Sequence, residues 1–135
     1  MAYKIEEIEG ISAVTAANLA KAGIKKTGDL LKQCCDKKGR KSIAEITGCS
    51  EKQILNWTNM ADLMRISGVG EEFSELLKMS GVDTIKELRN RNAENLAAAM
   101  KVTNEEKKLT RTVPSGKTVQ KWIDHAKTLD PIITH

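Results

Sequence analysis

A chain of 135 residues has room for one ordinary domain or two very small ones, and length by itself does not choose between them. Aromatics make up only 3% of it, and Ala, Leu, Lys and Glu dominate the periodic segments, a balance that favours an all-α fold over sheet. The net charge of +4 is compatible with nucleic-acid contact without demanding it; no apolar run is long enough to span a bilayer, and the opening residues lack the apolar core of a signal peptide, so a cytoplasmic protein with no membrane partner is expected.

In chain order, the first punctuation is Ile8-Glu9-Gly10-Ile11-Ser12, where glycine lets the chain turn sharply and Ile11 points back into a core. A helix follows at once, with an apolar face expected to carry Val14, Ala17 and Leu19, and Gly23-Ile24 gives its stop signal. A short helix begins near Thr27 and Asp29 and includes Leu30. Lys37, Lys38, Arg40 and Lys41 then read as a basic loop. Ile46-Thr47-Gly48-Cys49-Ser50 reads as a second, weaker hairpin, with Ser50 and Gln53 at capping-box spacing. Ile54, Trp57, Ala61 and Met64 fall on one face of a long closing helix that runs towards the second half.

Ile66-Ser67-Gly68-Val69-Gly70 then repeats the opening turn. Gly10 and Gly68 are each followed thirteen residues later by glycine and a branched apolar residue, and Leu19 and Leu30 are answered by Leu77 and Leu88. The second copy's first helix starts Glu71-Glu72, with Glu75 a turn later and Phe73, Leu76 and Leu77 as its apolar face, and Thr84 and Glu87 have capping-box spacing. Its weaker hairpin, Met100-Lys101-Val102-Thr103, has no glycine, though Thr103 and Glu106 still resemble a cap. Residues 109–117, with Pro114 and Gly116, interrupt the pattern before Val119, Trp122, Ile123, Ala126 and Leu129 restore it. The repeat divides the chain into units 1–62 and 63–135. Units of about 60 residues bury only roughly 60% of their unfolded surface, so the two are expected to form one body.

An apolar residue, glycine, apolar residue, glycine, then an alanine-rich helix ending in glycine and an apolar residue resembles the helix-hairpin-helix signature. Gly68-Val69-Gly70 meets it fully, and Gly10-Ile11-Ser12 meets it with serine at the last position. Each half resembles the paired helix-hairpin-helix domains of DNA repair and recombination proteins, which are SAM-like helical units. Across nearly the whole chain, the order of hairpins and the ending Trp122-Ile123-Asp124-His125-Ala126-Lys127 is similar to an uncharacterised, mainly bacterial family of duplicated helix-hairpin-helix proteins. The resemblance implies a fold and no activity.

Such turns bind phosphate through backbone N–H groups and the positive end of the following helix, which positions duplex DNA without reading its bases. Charge separates the halves. Glu71 and Glu72 suit a helix dipole but repel phosphate, whereas the first copy starts with uncharged Ala13-Val14-Thr15. The expected nucleic-acid site is therefore in the first half: Gly10, Ile11, Ser12, Gly48, Cys49 and Ser50 as backbone donors, with Lys37, Lys38, Arg40, Lys41 and Lys52 supplying charge. A second basic region from Lys101 to Lys121 is broken by Glu105 and Glu106. The alternative is a protein-interaction scaffold in which Glu71 and Glu72 meet a basic partner or another copy of the chain.

Catalysis has little support. The histidines are His125 and His135, no nucleophile motif is present, and carboxylates are scattered among lysines rather than converging on a metal, so neither an enzyme nor a cofactor is expected. Pro114-Ser115-Gly116-Lys117-Thr118 lacks the earlier glycine of a phosphate-binding loop, and Ser115 reads as a helix cap. Cys34, Cys35 and Cys49 read as reduced thiols, with a vicinal redox or soft-metal pair as the alternative.

Overall fold

The computed structural model describes residues 3–134. A 3-10 turn at Ile5–Glu7 precedes eight α-helices among these residues: α1 (Ala13–Lys21), α2 (Thr27–Cys34), α3 (Lys37–Thr47), α4 (Glu51–Leu63), α5 (Glu71–Met79), α6 (Ile85–Leu88), α7 (Ala93–Lys107) and α8 (Gly116–Lys127). The one strand-like feature described is an isolated antiparallel bridge between Lys4 and Lys26. The fold is all-α.

The duplicated glycines do the same physical work twice. Gly10 and Gly68 sit at φ of 94° and 91°, a left-handed conformation that side chains rarely adopt. The closing helix covers each: a Cβ at Gly10 would lie 3.2 Å from Trp57 Nε1, and one at Gly68 would lie 3.4 Å from Trp122 Nε1. Each tryptophan thus packs on the hairpin of its own half. At the other end of α1, Gly23 N–H donates to Ala20 O and Ile24 N–H to Leu19 O; after α5, Gly81 N–H donates to Lys78 O and Val82 N–H to Leu77 O. This pairing satisfies the last carbonyls of a helix and requires the glycine to turn left-handed.

The halves diverge after their second helix. No turn forms at Met100-Lys101-Val102-Thr103; these residues are interior to α7, and Met100 is fully buried. The first half turns after α3 through Gly48 at φ 77°, and without a glycine the second half continues as helix to Lys108, whose φ is 52°. Asn104 then braces the following loop, its side chain donating to Thr110 O and accepting from Thr110 N–H. The launch of α8 moves to Ser115, whose hydroxyl accepts from Thr118 N–H as the Ser50 hydroxyl accepts from Gln53 N–H before α4.

Two apolar clusters result. One gathers Ile5, Ile8, Leu19, Ile24, Leu30, Ile54, Trp57 and Met64; the other gathers Leu63, Val69, Leu76, Leu77, Leu88, Met100, Trp122 and Ile123. Adjacent residues at the end of α4 serve different clusters, so this helix joins them. Buried Asp62 secures the joint: Oδ1 pairs with Arg65 at 3.0 Å and Oδ2 accepts from Ile85 N–H at 2.9 Å. Arg65 also donates to Asp130 O, and Ser67 N–H donates to His125 Nδ1. On α1 the buried face is set by Ala16 and Leu19, while Val14 and Ala17 are exposed, contrary to the expected apolar face. The hairpin directs that side of the helix to solvent.

Candidate functional site

The first hairpin leaves a set of donors open. Ile11 N–H is spent on Ile8 O at 3.2 Å, and the Ile11 side chain is buried. The Ser12 hydroxyl accepts from Thr15 N–H and the Ser12 carbonyl from Ala16 N–H. Gly10, Ser12, Ala13 and Val14 N–H have no protein acceptor among the described residues. The last three lie at the positive end of α1, and Val14 is 73% exposed. Of the three hairpin residues expected to donate, Gly10 and Ser12 remain available and Ile11 does not.

Beside this helix start runs a groove of about 490 Å³, floored by Ala13, Ala16, Ala17 and Ala20 and edged by Lys4, Lys25 and Lys26, with Glu6 the one acidic residue in its lining. The lysines converge because the Lys4–Lys26 bridge is locked by Thr27 N–H donating to Tyr3 O at 2.9 Å and Ile5 N–H donating to Lys25 O at 3.1 Å. Asp29 fixes the turn by accepting from Lys25 and Lys26 N–H, which holds its carboxyl below the ordinary carboxylate range. Sequence reasoning missed these three lysines. The Lys25-Lys26 pair directly after the Gly23-Ile24 stop signal was the available clue, but the approach of Lys4 is purely tertiary.

The second expected donor set is already satisfied. Gly48 N–H donates to Ala44 O, Cys49 N–H to Thr47 Oγ1 and Ser50 N–H to Gln53 Oε1. A compact capped turn consumes its own donors, so the N–H groups of Gly48, Cys49 and Ser50, expected to face a ligand, already have protein acceptors. The basic segment is also not a loop: Lys37, Lys38, Arg40 and Lys41 begin α3, capped by Asp36 accepting from Gly39 N–H at 2.7 Å. Lys38 and Lys41 are exposed on that helix. Lys37 and Lys52 do converge, in a cleft of about 260 Å³ with Arg40, Glu51 and Leu55. Arg40 departs most from expectation. It is 4% exposed, with Nη1 donating to Cys34 O at 3.0 Å and Nη2 to Thr134 O at 2.7 Å, so its charge is turned inward. The cleft and the α1 groove share no lining residue.

Glu71 and Glu72 are exposed at the start of α5. Partial burial, together with Glu9, Glu7 and Glu72, pushes the Glu71 carboxyl above its usual range; burial, Glu9 and Glu71 do the same to Glu75 against the opposing pull of Lys78. The first hairpin's acidic flank therefore faces the acidic start of the second copy. Elsewhere, burial pushes the Cys34 thiol up to about 11, so it stays protonated, and Cys34, Cys35 and Cys49 are all free thiols. Among the described residues no group of three His, Cys, Asp or Glu could hold a metal ion. At the start of α8 the Glu94 carboxylate lies against Gly116, within a cleft of about 470 Å³ that Lys117 and Lys121 also line, and its charge opposes a phosphate there.

The sequence profile of a family described as Domain of unknown function (DUF4332) matches residues 9–129. No curated protein and no solved structure matches the chain.

Proposed function

The chain belongs to the family described as Domain of unknown function (DUF4332), which assigns no activity, and we propose from its own geometry that it is a non-catalytic, sequence-independent duplex-DNA-binding protein built from two tandem helix-hairpin-helix units. One observation carries the reading: at the first hairpin, open N–H groups of Ser12, Ala13 and Val14 stand at a helix start beside a groove edged by Lys4, Lys25 and Lys26. Backbone donors take a phosphate oxygen and the lysines neutralise its neighbours, so contact follows the DNA backbone and not its bases. These lysines supply the charge, because the Arg40 guanidinium is held by the Cys34 and Thr134 carbonyls. A cytoplasmic location suits this reading, and no helix among the described residues is long and apolar enough to cross a membrane.

Titrating unrelated duplexes at two salt concentrations tests it. Equal affinities are expected, falling steeply with salt. Lys25→Glu with Lys26→Glu should weaken binding and flatten the log–log salt slope by about 0.9 per lost phosphate contact, whereas Lys107→Glu with Lys108→Glu should change it far less. Undetectable binding at low salt, or indifference to the Lys25 and Lys26 reversal, overturns the proposal.

The second reading, a protein-interaction scaffold, is favoured by the self-repelling face of Glu7, Glu9, Glu71, Glu72 and Glu75. Such a face suits a basic protein partner or another copy. It predicts an association that Glu71→Lys abolishes.

A further inference from the structure

We propose that residues 130–134 form a strap that holds the Arg40 guanidinium back from an oxyanion site at the Lys37–Arg40–Lys52 cleft, and that a phosphate ligand completes the site by taking the guanidinium from the Thr134 carbonyl. The inference goes beyond the duplex-DNA reading, whose groove at α1 shares no lining residue with this cleft.

The strap is defined by specific contacts. It leaves α8 where Arg65 Nη1 donates to Asp130 O at 3.0 Å. It reaches the first half at Ile133, which packs against the first apolar cluster, and ends at Thr134, whose N–H donates to Cys35 O at 2.8 Å. Thr134 O then accepts from Arg40 Nη2 at 2.7 Å. Between these anchors Asp130, Pro131 and Ile132 are exposed, so little burial opposes lifting the segment.

Arg40 is an unusual residue to bury this way. Among the described residues no carboxylate pairs with it, and its charge is met only by the carbonyl dipoles of Cys34 and Thr134. A phosphate oxyanion is a stronger acceptor for a guanidinium than a neutral carbonyl, and it matches the planar fork of donors. The cleft that Arg40 lines already holds Lys37 and Lys52 against one carboxylate, Glu51. Lys37 stands in the first turn of α3, so the helix's own positive end adds to the potential there. When the strap lifts, Nη2 turns to the ligand, Nη1 keeps the Cys34 carbonyl, and the Thr134 carbonyl passes to water. The same movement releases a tie between α8 and the first half.

The test uses the full chain with inorganic pyrophosphate as probe, followed by amide NMR. Ile133→Ser with Thr134→Pro unseats the strap while leaving the cleft residues untouched. This variant should bind pyrophosphate about tenfold more tightly than the parent chain. Adding Arg40→Gln should remove the gain. In the parent chain, saturating pyrophosphate should accelerate hydrogen exchange at Thr134 N–H, a readout that needs no variant to fold. Equal affinity of parent and strap variant, no binding by either, or unchanged Thr134 exchange on binding would each overturn the gate. If pyrophosphate behaves as expected but duplex DNA binds neither form, the nucleic-acid reading falls and the gated anion site stands. If duplex binds through Lys25 and Lys26 but the strap variant gains nothing, the reverse holds.

Discussion

At the scale of single residues, the glycines are constrained by different forces. A Cβ at Gly39 would run into the Gln33 carbonyl oxygen and lie 3.1 Å from the Asp36 carboxylate that caps α3. The first obstacle is backbone and cannot rotate away. Gly48 has nothing within 4 Å and owes its identity only to a φ of 77°. Gly39→Ala should therefore cost about 2–3 kcal/mol, as overpacking does, and Gly48→Ala about 1–2 kcal/mol, the penalty for a left-handed alanine. Urea denaturation of both variants checks the order, and an equal or greater loss at Gly48 would contradict it. Gly39 lies inside the segment whose Lys37, Lys38, Arg40 and Lys41 read as a basic loop. What constrains it is a carbonyl on α2, which local reading cannot see. Arg40 was misplaced for the same reason, since one of its two acceptors is Thr134.

At the scale of elements, three helix starts were legible from a cap residue whose hydroxyl accepts from the N–H three positions on. Ser50 before α4, Thr84 before α6 and Ser115 before α8 all accept from the expected N–H. Ser50→Ala and Ser115→Ala should each lower stability by about 1 kcal/mol in denaturant melts, and a neutral result at either would mean its helix end is held by tertiary contacts. The cap-like pair Thr103 and Glu106 was a false signal. Cap spacing describes a possible helix start, but the preceding helix runs on through these residues to Lys107 and the chain turns left-handed only at Lys108. The displaced turn also explains why the serine caps and the tryptophans are shifted together in the second half relative to its first hairpin.

At the scale of the whole molecule, the packing of the halves brings like charges together. Burial and Glu9 raise the Glu71 and Glu75 carboxyls, so the folded chain takes up protons there before the unfolded chain does. Stability should rise as pH falls from neutral through that raised range. Asp29 has the opposite sign: its two backbone donors depress its carboxyl, so the stability it contributes is present above the ordinary carboxylate range and is lost as pH falls through the lowered value. Melting temperatures across a pH series at fixed ionic strength should therefore pass through a mildly acidic maximum. Glu9→Gln should reduce the acid-side rise, and a monotonic decline from neutral pH would refute the assignment.

The sequence by itself determined the helical class, both glycine hairpins, the two helix stops at Gly23 and Gly81, and the tryptophan faces of the closing helices. These follow from short-range rules, in which a left-handed turn, a cap or an apolar period is written within a few residues. Tertiary structure alone decided which donors stay open and where the charges point. The Gly48 turn spends its own N–H groups, a distant bridge brings Lys4 to Lys26, and the segment after α8 turns Arg40 inward. Hydrogen-bond supply and charge exposure depend on which segments meet in space, and that is settled only when the chain has packed.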